Sequence, residues 1–268
     1  MSYKQNTVSV IIPVHNEGQS IAKVVSGLLE LRCPYTHQTL VDDVIVCNNG
    51  STDDSVERAQ NAGAYVINES QLGYGYACLA GMSQLNRSDD LQANLVVFVD
   101  GDHSVKATEL PLLLEKLING DDLVIGNRVT RLQEKSALSI HQRAGNLLAS
   151  RLIRLIWKQK INDLGPFRAI KYSSLMQLDM QDKRFGWTVE MQVKAIQAKM
   201  NYAEIPVTTM KRIGASKISG TVKGTIGAAL GIFGKIGELY LKEAAFLESI
   251  SKAKSQVNVG SYNSKIAK

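Results

Sequence analysis

The sequence predicts an α/β protein with a mainly parallel central sheet flanked by helices, and two observations support that prediction. Short apolar runs alternate with helical patterns five times along the first half of the chain, which is typical of parallel strands joined by helical crossovers. Clusters of polar residues also follow predicted strand ends, at 15–17, 48–53 and 100–102. Because ligands of such sheets bind at the carboxyl ends of the strands, we expect the clusters to converge on one site.

The predicted strands are short, apolar and bounded by turn residues, as buried strands are. They cover residues 8–14, 44–47, 64–67, 95–99 and 122–125. Helical spacing of apolar residues predicts helices over 17–31, 73–85 and 107–118. A further helix is expected after the turn at 48–53, with Ser51 or Thr52 suited to cap it.

The second half of the chain contains a basic helical stretch. Residues 135–162 include no acid, but they carry six lysines and arginines and leucines at helical spacing. The pattern fits either a helix with one core face and one solvated face, or a helix that contacts anionic lipid.

The chain is expected to end in a helical extension and a tail. Glycines at 220, 224, 227, 231 and 234 form a small-residue seam along a helix over 221–247, and such a seam favours close packing against another helix, a second subunit or another protein. We therefore divide the chain into a main domain (1–220), a helical extension (221–248) and a polar basic tail (249–268) that is expected to be flexible.

Composition limits the classes of protein that fit. The chain has 268 residues, 44% of them hydrophobic, which suffices for one substantial core. The net charge of +6 favours an anionic partner such as a nucleotide or lipid phosphate, although a merely soluble basic protein fits as well. Three scattered cysteines indicate neither a disulfide framework nor a zinc knuckle and fit a reducing cytoplasm. No signal-peptide layout or membrane-spanning stretch is present, so any action at a membrane is expected from its surface.

Asp100 and Asp102 follow a predicted buried strand, separated only by Gly101. Two carboxylates at such a position repel each other in a low dielectric, and a divalent cation would relieve that repulsion. Oxygen ligands select a hard ion, so the pair predicts an Mg²⁺ or Mn²⁺ site that bridges to substrate phosphates.

Several motifs now identify a resemblance. The segments VSVIIPVHNE, VIVCNNGSTDDS, VVFVDGDHS and VIGNRV, in that order, resemble family 2 glycosyltransferases of the GT-A fold. Downstream, DLGPFRAI, GWTVEMQVKA and EIPVTTMKRIGASKISGT resemble the dolichyl-phosphate mannosyltransferase and polyprenyl-phosphate glycosyltransferase branch. The resemblance covers about residues 8–224 and implies a GT-A fold.

The resemblance implies a nucleotide-sugar site. Its binding residues are Pro13, His15, Glu17, Asn48, Asn49, Asp53, Asp100 and Asp102. Two of them depart from the family, because the second strand end usually reads Asp-Asp-Gly-Ser and here begins with two asparagines. Asparagine keeps an acceptor oxygen but adds donors and removes charge. The identity of the nucleotide base therefore stays open. The metal ligands implied are Asp100, Asp102 and Ser104.

The resemblance also implies phosphate-binding and catalytic residues. Phosphates are assigned to Arg128, Arg143, Arg168, Arg212 and Lys217, since arginine grips phosphate oxygens with a planar fork. Catalytic roles fall to Asp102, Glu190, Arg128 and Arg168. Glu190 would be the general base for a hydroxyl acceptor, an orienting group for a phosphate acceptor, or a structural ion-pair partner.

The function implied is an inverting, metal-dependent glycosyltransferase that moves a sugar from a UDP- or GDP-sugar to polyprenyl or dolichyl phosphate. One alternative is a hydroxyl acceptor with Glu190 as base, and another is a non-catalytic nucleotide-sugar-binding protein of the same fold. We expect no nucleic-acid partner, a cytoplasmic protein peripheral on the cytoplasmic face of a membrane, and a possible homo-oligomer through the glycine-seamed helix.

Overall fold

The protein is built around one seven-stranded sheet. The computed structural model describes residues 6–88, 92–129, 140–214 and 222–266. The strands are β1 (Val8–Val14), β2 (Asp43–Asn48), β3 (Tyr65–Asn68), β4 (Leu95–Phe98), β5 (Leu123–Asn127), β6 (Arg168–Lys171) and β7 (Tyr202–Pro206). Their order across the sheet is β3-β2-β1-β4-β6-β5-β7.

The sheet is mainly parallel, as the alternation of strands and helices predicted. Strand β1 pairs in parallel with β2 and β4, and the pairs β2–β3 and β5–β7 are parallel too. Strand β6 was not predicted, and it runs antiparallel to both of its neighbours, β4 and β5. Strands β1, β2 and β4 are adjacent and run parallel, so the polar residues that follow them share one edge of the sheet.

Helices cover both faces of the sheet. They are α1 (Ile21–Leu29), α2 (Ser55–Asn61), α3 (Tyr74–Ser83), α4 (Leu110–Ile118), α5 (Ile140–Trp157), α6 (Tyr172–Leu178), α7 (Trp187–Gln197) and α8 (Val222–Ile266). Alternate residues of β1 enter opposite cores: Val10 and Ile12 pack towards α1 and α4, whereas Ile11 packs on the other face. This follows from the two-residue repeat of a strand.

The helix after β2 begins later than predicted. Neither Ser51 nor Thr52 caps α2, which starts at Ser55. Instead, the hydroxyl of Ser51 accepts a hydrogen bond from the amide of Asn16, and the amide of Thr52 donates to the Asn16 side chain. Both residues are therefore used to tie the end of β2 to the loop after β1.

The C-terminal part is helical, as predicted. Helices α5, α7 and α8 enclose a third cluster of buried apolar residues, which includes Ile153, Val193 and Ile236. Helix α8 continues to Ile266, through the segment expected to be a flexible tail, and the domain boundaries and that flexibility stay predictions. No helix within the described ranges is both long and apolar enough to cross a bilayer.

Candidate active site

A cavity of about 340 Å³ opens at the carboxyl ends of β1, β2 and β4. Its lining residues come from the ends of these strands, the start of α3 and two distant loops: Pro13, Val14, His15, Glu17, Asn49, Leu72, Gly73, Tyr74, Ala77, Asp100, Gly101, Asp102, Phe185 and Arg212. The structure thus brings all three predicted polar clusters together. Each cluster contributes at least one side chain to one cavity.

Asp100 and Asp102 form the negative end of this cavity. Burial, followed by the charge of Asp102, raises the pKa of Asp100 to about 7, against the opposing effects of Arg128 and Arg212. The Tyr74 hydroxyl also hydrogen-bonds to Asp100, and burial together with that carboxylate raises the pKa of Tyr74 well above its usual value. The first turn of α3 therefore supplies a neutral donor to a carboxylate that is costly to ionise without a cation.

Arg212 reaches the cavity from the loop after β7. Its Nη2 atom lies 3.0 Å from Glu17 Oε1, and its Nη1 atom lies 3.5 Å from Asp102 Oδ2. The loop is held against the carboxylate turn by backbone bonds, because the amide of Met210 donates to Ser104 and that of Ile213 donates to Asp102. Arg212 is thus placed on two carboxylates of the cavity.

The hydrogen bonds of Asn49 explain why asparagine replaces the aspartate of the family pattern at this position. Its side-chain oxygen accepts from the amide of Gly73 at 2.7 Å, while its side-chain nitrogen donates to the carbonyls of Glu69 and Gln71 at 3.2 and 2.7 Å. The backbone carbonyl of Asn49 also lies 2.8 Å from Nδ1 of His15. An aspartate has no donor for these carbonyls, so asparagine suits this position.

Asn48 and Asp53 support the cavity without lining it. The side-chain nitrogen of Asn48 donates to Asn68 Oδ1, and its oxygen accepts from the amide of Ser51. Asp53 accepts hydrogen bonds from Ser55 and from the amide of Gly18, which outweigh burial and lower its pKa. Both residues connect the turn after β2 to neighbouring segments and so hold that turn in position.

Arg128 lies near the acidic pair but is bound elsewhere. Its Nε and Nη2 atoms meet Asp163 at 2.9 and 2.8 Å, and its backbone amide donates to the same carboxylate. Burial works to lower the pKa of Arg128, but the charge and hydrogen bonds of Asp163 raise it, with smaller contributions from Asp100 and Asp102. Its charge reaches the cavity although its side chain does not line it.

Arg168 and Glu190 do not line the cavity either. Arg168 is fully buried, and its guanidinium donates to the carbonyls of Gly165, Leu164 and Thr188. Glu190 is 1% exposed. It accepts hydrogen bonds from the amides of Gln181 and Asp182 and pairs with Lys194 at 2.9 Å. This geometry is that of the structural ion-pair partner left open for Glu190, and catalytic roles for both residues stay predictions.

Two further predicted residues that the structure describes lie outside the cavity. The amide of Ser104 donates to Asp102 Oδ1 at 2.9 Å, and the residue does not line the cavity. Arg143 is partly exposed on α5. Lys217 lies outside the described residues.

Sequence reasoning gave no role to Leu72, Tyr74, Asp163 or Phe185. Tyr74 and Asp163 had detectable signals, because Tyr74 opens a predicted helix after a glycine and Asp163 is the first acid after the acid-free stretch. Phe185 carried no signal, since only tertiary contact brings it to the cavity.

The residues present fit a divalent cation held together with a diphosphate. Asp100 and Asp102 offer hard oxygen ligands, the raised pKa of Asp100 shows the cost of its charge, and the guanidinium of Arg212 lies beside Asp102 where positive charge is favoured. No group of three or more potential metal ligands occurs in the part of the chain that the structure describes. A site of two carboxylates that shares its ion with substrate phosphates is typical of Mg²⁺.

A second and larger cavity, of about 640 Å³, runs along α1 and is lined by Lys23, His103 and Lys106. Of the predicted site residues that the structure describes, only Asp100 borders it. The cavity at the strand ends is therefore the better candidate for the nucleotide.

The chain is similar to known proteins over most of its length. The model of glycosyl transferase family 2 matches residues 9–179, a range that includes the ends of β1, β2 and β4. An uncharacterized glycosyltransferase of Mycobacterium tuberculosis (strain ATCC 25618 / H37Rv) is 31% identical over 230 residues, which are 84% of this chain and 95% of the relative. A polyprenol monophosphomannose synthase of Mycolicibacterium smegmatis is 28% identical over 218 residues, 79% of this chain and 81% of the relative.

A solved structure supports the fold. Glucosyl-3-phosphoglycerate synthase from Mycobacterium tuberculosis, in complex with Mn²⁺, uridine diphosphate and phosphoglyceric acid, superposes with a TM-score of 0.69. The alignment covers 88% of this chain and 78% of that chain at 19% identity. The GT-A fold implied by the sequence motifs is confirmed.

Proposed function

The chain belongs to glycosyl transferase family 2, and from that premise we propose that it moves a sugar from a nucleotide-sugar to a polyprenyl phosphate in a metal-dependent, inverting reaction. The donor proposed is a UDP- or GDP-sugar. The observation that carries this proposal is the convergence of Asp100, Asp102 and Arg212 in one cavity at the strand ends.

The arrangement suits the departure of a nucleoside diphosphate. Asp100 and Asp102 would hold Mg²⁺ or Mn²⁺, which supplies positive charge to the leaving diphosphate. Tyr74 keeps Asp100 oriented by its hydrogen bond. Arg212 would exchange its contacts with Glu17 and Asp102 for phosphate oxygens, which its planar fork fits. Its removal from Asp102 would free that carboxylate for the cation.

The geometry of Glu190 favours a phosphate acceptor over a hydroxyl acceptor. A hydroxyl must lose a proton to a base within hydrogen-bonding reach, whereas a phosphate anion needs no strong base. Glu190 is the base that the hydroxyl alternative requires, but its carboxylate is buried on the amides of Gln181 and Asp182. The resemblance to a polyprenol monophosphomannose synthase supports the same acceptor class.

Helix α5 offers a surface for a membrane that carries such an acceptor. Ile140, Leu148 and Leu155 are 82%, 59% and 76% exposed, and Leu147 lies beside them. The helix contains arginines but no acid, and interfacial helices combine an apolar face with basic residues in this way. We propose that the protein binds peripherally to an anionic membrane surface on the cytoplasmic side. A homo-oligomer through α8 stays a prediction.

A screen of nucleotide-sugars tests the proposal. Purified protein would be incubated with UDP- and GDP-sugars and Mn²⁺, with and without polyprenyl phosphate, and the released nucleoside diphosphate and the glycosylated lipid would be measured. We expect lipid-dependent turnover that EDTA abolishes. Turnover with a soluble hydroxyl acceptor but not with the lipid would contradict the acceptor class, and nucleotide binding without turnover would favour the non-catalytic alternative.

A further inference from the structure

Phe185 is the aromatic residue that the chain brings to the donor cavity from its second half. It lines the cavity together with Leu72 and Tyr74. These side chains form an apolar and aromatic part of the lining, in contrast to the acidic part formed by Asp100 and Asp102. An aromatic ring offers a large rigid apolar face to a bound ligand. Its position is therefore relevant to how a nucleotide-sugar fits.

Residues 181–185, which we call the strap, carry this ring and are held from two sides. On one side, Glu190 of α7 accepts hydrogen bonds from the amides of Gln181 and Asp182. On the other, the amides of Gly75 and Tyr76 in the first turn of α3 donate to the backbone carbonyls of Arg184 and Lys183 at 3.2 and 3.1 Å. The strap thus satisfies amides that a helix start leaves without partners.

Helix α8 holds the strap from a third side. A Cβ atom added to Gly231 would lie 3.1 Å from Phe185 Cβ, and one added to Gly227 would lie 3.9 Å from the Phe185 ring. In the same helix, Lys235 Nζ lies 3.3 Å from Asp182 Oδ2. Part of the glycine seam therefore has an identified partner, the strap, whereas a Cβ added to Gly234 would meet nothing within 4 Å.

We propose that Phe185 contacts the nucleotide part of the bound donor and that α8 positions it through Gly231 and Lys235. The inference rests on the proposed function, because it requires a nucleotide-sugar in this cavity. Phe185 is the residue that touches the donor, while Gly231 and Lys235 act through it as positioning residues. The C-terminal helix is then part of the donor site although none of its described side chains lines the cavity.

Two matched pairs of variants separate positioning from general stability. Gly231→Leu inserts a side chain against Phe185, whereas Gly234→Leu inserts the same side chain into open space, and leucine favours the helix over glycine in both. Lys235→Met removes the contact with Asp182. Lys242→Met leaves that contact in place and removes only the ion pair of Lys242 with Glu238, a carboxylate that Lys235 also contacts.

The experiment measures the binding of UDP and of GDP, each with Mn²⁺, by calorimetry, with thermal unfolding recorded for every variant. We expect Phe185→Ala and Gly231→Leu to weaken binding of the preferred nucleotide about tenfold. Lys235→Met should weaken it severalfold, while Gly234→Leu and Lys242→Met should bind like the wild type. Phe185→Tyr should restore most of the affinity, because it keeps the ring.

The outcomes distinguish this inference from the proposed function. If the wild type binds neither nucleotide, the proposed function fails. If the wild type binds and the Phe185→Ala, Gly231→Leu and Lys235→Met variants bind equally well, Phe185 does not contact the donor and the inference is overturned. If Gly231→Leu does not fold, Lys235→Met against Lys242→Met decides the positioning role.

Discussion

The guanidinium of Arg212 bonds to Glu17 at 3.0 Å and lies 3.5 Å from the carboxylate of Asp102. A basic residue from the loop after β7 thus meets acids from the ends of β1 and β4. It screens a carboxylate that the proposed metal would bind, so the release of Arg212 and the arrival of a cation and diphosphate are expected to be linked.

Asp102→Asn should reduce turnover by about 10²–10³-fold, because it removes an oxygen ligand and a charge where the leaving diphosphate develops. Turnover in a range of Mn²⁺ concentrations is the measurement, and EDTA should have the same effect on the wild type. Glu115→Gln, an exposed change on α4, is the control. Full activity of the Asp102 variant, or of the wild type in excess EDTA, would contradict the metal assignment.

Arg212→Ala should lower turnover about ten- to a hundredfold, since a charge-assisted contact with a phosphate contributes about 1.5–3 kcal/mol. Lys211→Ala removes a neighbouring exposed charge and should have little effect. Steady-state rates and thermal unfolding of both variants give the comparison. Equal rates for the two would show that the loop is only a connection between β7 and α8.

Asn49→Asp should destabilise the fold by about 1–3 kcal/mol, because two backbone carbonyls lose their donor and face a negative charge. At this chain length the melting temperature should fall by about 2–4 °C per kcal/mol. Asn48→Asp is the matched control and should be tolerated better, since the amide of Asn68 can flip to donate to the new carboxylate. A larger loss for Asn48→Asp would contradict this interpretation of the two asparagines.

Leu148→Ser combined with Leu155→Ser should weaken the binding of the protein to anionic vesicles about tenfold, because exposed apolar side chains of α5 would otherwise leave water. Co-sedimentation with phosphatidylglycerol and with phosphatidylcholine vesicles, at low and high salt, measures this. Leu112→Ser removes an exposed leucine from α4 and serves as the control. Binding that neither lipid charge nor these leucines affect would leave α5 as a helix with one core face and one solvated face.

Protonation of Asp122 should lower the stability of the folded protein as the pH falls. Burial works to raise its pKa, but hydrogen bonds from Lys171, the Asn201 amide and Ser174, with the charge of Lys171, lower it. A carboxylate with a lowered folded-state pKa stabilises the protein above its unfolded pKa, about 3.9, and this contribution is lost as pH falls through the folded value.

Urea unfolding of the wild type and of Asp122→Asn from pH 7 to pH 3 measures this contribution. The difference in unfolding free energy between the two proteins should be constant near neutrality and shrink below about pH 4. Asp121→Asn is the control, because Asp121 is the adjacent carboxylate and itself forms no ion pair among the described residues. A difference that stays constant down to pH 3 would contradict the role of Asp122.

Much of the fold could be predicted because it depends on local patterns. The apolar run at 8–14 is buried as β1, and polar residues after it were correctly expected at the sheet edge. Strand β6 was missed because only Ala169 and Ile170 of its four residues are apolar and a charged residue stands at each end, so no apolar run marks it as a strand.

The site was predicted where position along a strand decides it and less well where burial decides it. Asp100 and Asp102 line the cavity because they follow β4 closely, and the carboxyl end of β4 lies at this edge of the sheet. The basic motifs gave equal reason to expect Arg168 and Arg212 at the phosphates, but Arg168 is buried on backbone carbonyls while Arg212 reaches the cavity. A motif specifies a residue type, not the direction of a long side chain.

The sequence by itself determined the family, the mainly parallel sheet and the paired acids at a strand end, because each depends on residues that are close together along the chain. Tertiary structure alone decided which partners those acids meet. Glu17 and Arg212 are 195 residues apart, and Phe185 reaches the cavity only because α3, α7 and α8 hold the strap. Such contacts depend on how helices pack on the sheet, and packing is fixed by the whole core rather than by any one segment.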